Sequence, residues 1–189
     1  MLNAEYWNDR YQSNQIGWDI GEVSTPLKEY FDQLKDKSIR ILIPGCGNAY
    51  EAKYLLQNGF TNISVLDFAT EPLEKLKNEI GDNSHIHFFN EDFFEHQGRY
   101  DLIIEQTFFC AINPAERKHY AQKMKTLLAP KGKLVGILFN REFKGGPPFG
   151  GNEKEYRSYF EGVFDNIKIE SCYNSIKPRL NSEFFVILS

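Results

Sequence analysis

Ile39-Arg40-Ile41-Leu42-Ile43-Pro44-Gly45-Cys46-Gly47-Asn48 is an apolar run of strand length that passes straight into a glycine turn. Glycines between a buried strand and a helix let the backbone approach a ligand that side chains would exclude. About 20 residues on, Asp67 closes the next apolar run, where an acid at a strand tip takes the two hydroxyls of a ribose. Tyr50 stands where a G-x-G-x-x-G loop needs its third glycine, so a pyrophosphate is disfavoured. The pattern favours an adenosine carrying a different tail, with S-adenosylmethionine (SAM) first among candidates. Asp67 has a competing reading as a helix-capping acid ahead of Ala69-Thr70.

Working outward, apolar runs alternate with helix-length periodic segments. Strands are expected at Arg40–Ile43, Ile63–Asp67, Ile86–Asn90, Tyr100–Glu105, Lys133–Asn140, Ile167–Tyr173 and Glu183–Leu188. Helix starts are expected at Thr25-Pro26, Thr70-Glu71-Pro72 and Asn113-Pro114, the last with Glu116 placed as in a capping box, and an amphipathic segment runs from Glu5 to Gln12. Alternation implies a mostly parallel sheet with helices on both faces. The short Pro178-containing link between the last two strands is too brief for a crossover helix, which makes the C-terminal strand antiparallel.

The chain of 189 residues supplies one domain, 1–189, too little for a nucleotide domain plus a separate substrate domain. A net charge of −4 with scattered acids and bases argues against a nucleic-acid partner. No basic N-terminal segment and no long apolar run is present, and the three cysteines lack zinc-site spacing. These features predict a soluble, cytoplasmic, monomeric protein without membrane contact or metal. His85 and His87 share a strand face but have no partner at a ligand spacing.

Three further segments carry chemistry. In Glu91-Asp92-Phe93-Phe94, Asp92 has the position to accept an adenine amine and Phe93 to cover the ring; the alternative is a solvated acidic turn followed by core phenylalanines. Glu105 to Pro114 should overhang the carboxyl edge of the sheet. There Arg117, on a stripe with Ala121, Met124 and Leu128, faces inward, either to attract an anionic acceptor or to pair with Glu105. Gly145-Gly146-Pro147-Pro148-Phe149-Gly150 follows the fifth strand and lacks a leading Asn or Asp, which suits a lid or pocket wall better than an amino-methyltransferase box.

Taken together, Tyr6-Trp7-Asn8-Asp9-Arg10-Tyr11, Gly17-Trp18-Asp19, Ile43-Pro44-Gly45-Cys46-Gly47, Leu66-Asp67, Phe108-Phe109-Cys110-Ala111-Ile112, Pro114 with Arg117 and Tyr120, and Gly145 to Phe149 resemble the thiopurine methyltransferase family, particularly its plant thiol and halide methyltransferase branch. The resemblance implies a Rossmann-like SAM-dependent methyltransferase fold with seven strands. It implies that residues 1–21 form an aromatic cover, with Trp7, Tyr11 and Trp18 over SAM. Gly45 and Gly47 would meet its amino-acid end, Asp67 and Phe68 the ribose region, and Asp92 with Phe93 the adenine. Gln106 would lie near cofactor or acceptor, and Arg117 would face the acceptor, a small thiol or halide. The chain departs from the family with Tyr11 where a second Trp is common and Gln106 where Arg or Tyr is common. A nicotinamide-dependent reductase and a non-catalytic SAM-binding module are the rival readings.

Overall fold

A computed structural model describes residues 2–189. Seven strands form one sheet: β1 (Ile41–Pro44), β2 (Ile63–Leu66), β3 (Ile86–Phe89), β4 (Tyr100–Gln106), β5 (Leu128–Phe139), β6 (Ile167–Ser171) and β7 (Glu183–Leu188), in the order β3-β2-β1-β4-β5-β7-β6. The first five run parallel, while β7 inserts antiparallel between β5 and β6. The strand order reverses between β1 and β4, and that reversal opens a crevice at their carboxyl ends.

The helices are α1 (Ala4–Gln12), α2 (Thr25–Asp32), α3 (Tyr50–Gln57), α4 (Thr70–Ile80), α5 (Arg117–Leu127) and α6 (Glu153–Phe160). All residues of β1 and β2 are buried, as a parallel sheet covered on both faces requires. Alternate side chains feed opposite cores. Leu42 and Ile103 pack with Tyr120 and Met124 of α5 and Phe160 of α6. Ile41, Ile43 and Ile104 pack with Phe31, Leu55 and Leu73 of α2, α3 and α4. Each such aliphatic side chain contributes about 1.5–3 kcal/mol by leaving water.

The helix starts differ from the sequence expectation in an informative way. Thr25 and Thr70 lie inside the first turns of their helices, with Ser24 and Ala69 at the cap positions. Ser24 caps nothing with its side chain; its hydroxyl donates instead to Gln106 Oε1 at 3.2 Å. The free N–H groups of Thr70 and Glu71 both donate to Asn8 Oδ1, at 2.9 and 3.1 Å, so α1 caps α4 from outside. Asn113 does cap, accepting from Ala115 N at 3.0 Å, but it opens a short 3₁₀ turn that leads into α5. The Glu116 side chain lies 3.7 Å from His119 instead of closing a capping box. Strand β5 begins at Leu128, earlier than the expected Lys133, because Leu128 pairs with Tyr100 ahead of a register irregularity.

Candidate active site

The turn after β1 bends through left-handed backbone at Gly45 (φ 56°), Gly47 (φ 50°) and Ala49 (φ 51°). A Cβ on Gly45 would lie 2.2 Å from the Phe108 ring, and one on Gly47 would lie 2.7 Å from the Tyr11 hydroxyl. Glycine is therefore required twice over, by dihedral angle and by close approach. Asp67, nearly buried at the end of β2, braces this turn: Oδ2 accepts from Gly47 N at 3.1 Å and Oδ1 from Ala69 N at 2.9 Å. The capping reading is seen here, since the carboxylate serves the start of α4, and it keeps lone pairs for further donors. Burial raises its pKa to about 6, against the pull of the backbone N–H donors.

An aromatic cover closes over the turn from the N-terminal side. Trp7 and Tyr11 project from α1 and meet Trp18 edge-on, with ring centroids 5.4 and 5.8 Å apart. Burial and the neighbouring Asp67 push the Tyr11 phenol well above its ordinary pKa, so it is a neutral donor. The cover is tied down at both ends. Asp19 accepts from Gly21 N at 2.7 Å, from the Tyr50 hydroxyl at 3.1 Å and from Asn48 Nδ2, while Arg179 Nη2 donates to Trp18 O at 2.8 Å.

Beside β3, Glu91 and Asp92 part company. Glu91 holds His96 Nδ1 at 2.5 Å, whereas Asp92 lines the cleft and accepts from Phe94 N at 2.8 Å. Phe93 is 4% exposed and packs edge-on against Phe108 at 5.1 Å. It is at once core residue and cleft wall.

After β4 the chain turns sharply at Thr107, whose φ of 61° is a left-handed conformation that a β-branched residue adopts at a cost of about 1–3 kcal/mol. Glu105, fully buried, holds that turn by accepting from Phe108 N at 2.8 Å, Phe109 N at 2.9 Å and the Tyr120 hydroxyl at 2.6 Å. Burial raises its pKa to about 7.

These segments enclose a cleft of about 930 Å³. Trp7, Tyr11, Trp18, Gly45, Gly47, Asp67, Phe68, Asp92, Phe93 and Gln106 all line it. Arg117 does not. Its side chain is completely buried: Nη1 donates to Gly150 O at 2.9 Å and Glu155 Oε1 at 3.1 Å, Nη2 donates to Phe149 O at 2.9 Å, and the guanidinium stacks over Phe109 at 4.5 Å. Neither sequence reading of Arg117 is realised, because Glu105 is already satisfied by three other donors. The carbonyls at the end of the Gly145–Gly150 loop, which lie outside any helix, take the guanidinium instead. That loop does form a wall, with Gly146, Pro147, Pro148 and Phe149 facing the cleft.

Sequence reading overlooked several residues that the fold delivers to the same cleft: Asp19, Glu51, Arg141 and Arg179. Asp19 belongs to the Gly17-Trp18-Asp19 motif, where the tryptophan draws the attention. Glu51 in the first turn of α3 carries the legible signal, an acid directly behind the glycine turn. Arg141 and Arg179 carry no local signal, since they arrive from the segments after β5 and before β7. Among the described residues no group of His, Cys, Asp and Glu could hold a metal, and no helix is long and apolar enough to cross a membrane.

SAM presents an aromatic base, a ribose diol, a sulfonium and an amino-acid tail, and the cleft lining offers aromatic faces, carboxylates and a glycine turn, the kinds of group that suit such a molecule. The chain matches the thiopurine S-methyltransferase family over residues 2–183. It is 28% identical to a probable thiol methyltransferase 2 of Arabidopsis thaliana, covering 94% of this chain and 81% of that protein. It is 27% identical to a thiopurine S-methyltransferase of Vibrio cholerae, covering 96% and 90%. Its fold is shared with the 1,6-didemethyltoxoflavin-N1-methyltransferase of Burkholderia thailandensis, solved with S-adenosylhomocysteine, at TM-score 0.73 and 15% identity over 98% of this chain and 85% of that one. A TehB-like SAM-dependent methyltransferase of Corynebacterium glutamicum matches at TM-score 0.68 and 15% identity, covering 98% and 97%. With its doubly covered sheet, its reversal crevice and a cleft fitted to that cofactor, this chain belongs to the thiopurine S-methyltransferase family of SAM-dependent methyltransferases.

Proposed function

We propose that the methyl acceptor is a small soft nucleophile, a thiolate first and a halide or thiocyanate second. The observation that carries this is the composition of the cleft beyond the glycine turn. Phe108, Phe139, Phe143, Pro147, Pro148 and Phe149 form an apolar wall, Arg141 and Arg179 supply positive charge, and among the described residues no histidine or lysine lines it. Arg179 stacks over Phe139 at 5.4 Å and Arg141 over Phe143 at 4.8 Å. A hard oxygen or nitrogen acceptor would want a general base beside it, most often a histidine. A thiolate wants only alignment, removal of its water and a compensating cation.

In this reading the bound cofactor supplies an electrophilic methyl carbon on its sulfonium. The residues of the chain orient and desolvate. Asp67 and Asp92 fix the adenosine, Trp7, Tyr11 and Trp18 exclude water from above, and Gln106, held by Ser24, borders the methyl position. Arg179 and Arg141 lower the pKa of an incoming thiol, whose proton leaves to solvent. Bound there, SAM would supply the methyl group, which would pass to the thiolate sulfur with loss of the sulfonium–methyl bond and leave S-adenosylhomocysteine. Arg117 acts as a positioning residue, fixing the Pro147-Pro148 wall through the carbonyls of Phe149 and Gly150.

We place this activity in one domain of 189 residues acting as a monomer in the cytoplasm, where three unpaired buried cysteines are at home. Turnover with benzenethiol, hydrosulfide, thiocyanate, iodide and catechol, followed as S-adenosylhomocysteine release, tests the reading. Thiol turnover at least tenfold above catechol supports it. Preferred methylation of catechol would overturn it.

A further inference from the structure

The lining of the cleft includes the carboxylates Asp19, Glu22, Glu51 and Asp67, and they are not equivalent: Glu22 is exposed. Asp67 and Asp19 are committed to backbone and side-chain donors of the protein. Glu51 is 5% exposed, lines the cleft directly behind the glycine turn, and accepts no hydrogen bond from another residue among those described. A buried carboxylate with no donor beyond its own backbone N–H is costly unless something else supplies the charge. The groups acting on it include no cation: burial and the neighbouring Asp19 raise its pKa, to about 7, and only its own backbone N–H opposes them. The other turn-side residues facing it, Cys46 and Tyr50, add no positive charge either.

A second observation narrows the partner. Ile43, two residues before Gly45, is buried in the core, so the end of β1 offers no counter-charge to a cationic tail. Among the carboxylates lining the cleft near the turn, Glu51 is the buried one that no other residue engages.

We propose that Glu51 is the residue that binds the α-ammonium of the cofactor's amino-acid tail. This rests on SAM being the cofactor. Because α3 begins at Tyr50, Glu51 reports the tail to the first turn of a helix whose position is set by the glycine turn itself. A cationic ammonium there converts an isolated buried charge into a pair, so cofactor binding and ionisation of Glu51 favour each other.

The test is calorimetry on the full chain with S-adenosylhomocysteine, SAM, and the analogue of S-adenosylhomocysteine that lacks the amino group, using wild type, Glu51→Gln and Glu51→Asp. Glu51→Gln removes a buried charge while keeping shape, and a thermal melt verifies that it folds. The expected result is a loss of tenfold or more in affinity for S-adenosylhomocysteine and SAM alike, less than twofold change for the deamino analogue, and partial recovery in Glu51→Asp. Equal losses for all three ligands would mean a structural role. A loss confined to SAM would assign Glu51 to the sulfonium. Unchanged S-adenosylhomocysteine affinity would remove it from the site. Each of these overturns the proposal, whereas failure of wild type to bind any of the three would strike at the cofactor itself.

Discussion

The two ends of the cleft are built by different means. The cofactor end is acidic and comes from the N-terminal half of the chain, Trp7 to Phe93, gathered around β1 and β2. The acceptor end is apolar and basic and comes from three distant segments: the turn after β4, the loop after β5 and the β6–β7 connection. The first end uses rigid backbone, two left-handed glycines and a braced aspartate. The second uses side chains held by other side chains, with Arg117 locking the loop that forms the wall. A cofactor common to many enzymes is thus met by the part of the chain with least freedom, and an acceptor that differs among relatives by parts that vary easily.

The sharpest way to break this comparison is Arg117→Ala. If Arg117 is structural, the loss of a buried ion pair and of donors to two loop carbonyls should cost about 3 kcal/mol of folding stability, read by urea unfolding. Arg117→Lys should recover only part, because a point charge does not reproduce the guanidinium fork. Full stability with thiol turnover lost would return Arg117 to the acceptor.

At the cofactor end, Asp67→Ala should weaken S-adenosylhomocysteine binding by about 1.5–3 kcal/mol, the scale of hydrogen bonds to a charged group. Because the same carboxylate holds Gly47 N and Ala69 N, a drop in melting temperature should accompany it. Intact affinity with a lowered melt would leave Asp67 as a brace alone.

Arg179→Ala should lower kcat/KM for a thiol by about 2 kcal/mol and weaken S-adenosylhomocysteine binding less, since Arg179 touches the cofactor end only through the Trp18 carbonyl. Equal losses in both would show that the arginine serves the cover and not the acceptor.

The smallest expected effect is on pH. Burial raises the pKa of Asp67 to about 6 and of Glu51 to about 7, above the values near 4 of an unfolded chain. Between these limits the native state binds more protons than the unfolded state, so the ligand-free protein loses stability from these groups as pH rises through 6 and 7. A ligand that needs the ionised carboxylates should gain affinity over the same window, by up to about 1.4 kcal/mol per unit for each proton displaced. The difference in melting temperature with and without S-adenosylhomocysteine should therefore widen from pH 5.5 to 7.5. A constant difference would mean that neither carboxylate titrates against the ligand.

Much of the cofactor end is legible in the sequence. The turn at Gly45 to Gly47 and Asp67 announce themselves because strand, turn and acid lie in a fixed local order, whereas Trp7 and Trp18 come from the family resemblance. Arg117 shows the opposite case. Its helical stripe correctly indicates an inward side chain, but inward is not the same as toward the ligand. Periodicity specifies a face and not a partner, and the partners, Phe149, Gly150 and Glu155, lie more than thirty residues away. Thr70 is no cap for a similar reason: it lies inside the first turn, and its own N–H and that of Glu71 are taken by Asn8 from another helix.

The sequence by itself determined the alternating strands and helices, the antiparallel last strand and the glycine turn, because those follow from burial periodicity, linker length and backbone sterics within short windows. Tertiary structure alone decided which charges meet. It put Asp19 beside the turn, carried Arg179 from the C-terminal connection to the cover over the cleft, and sent Arg117 into the core. The physical reason is that a buried charge is placed by whichever partners desolvate with it, and those partners are chosen by packing across the sheet rather than by neighbours along the chain.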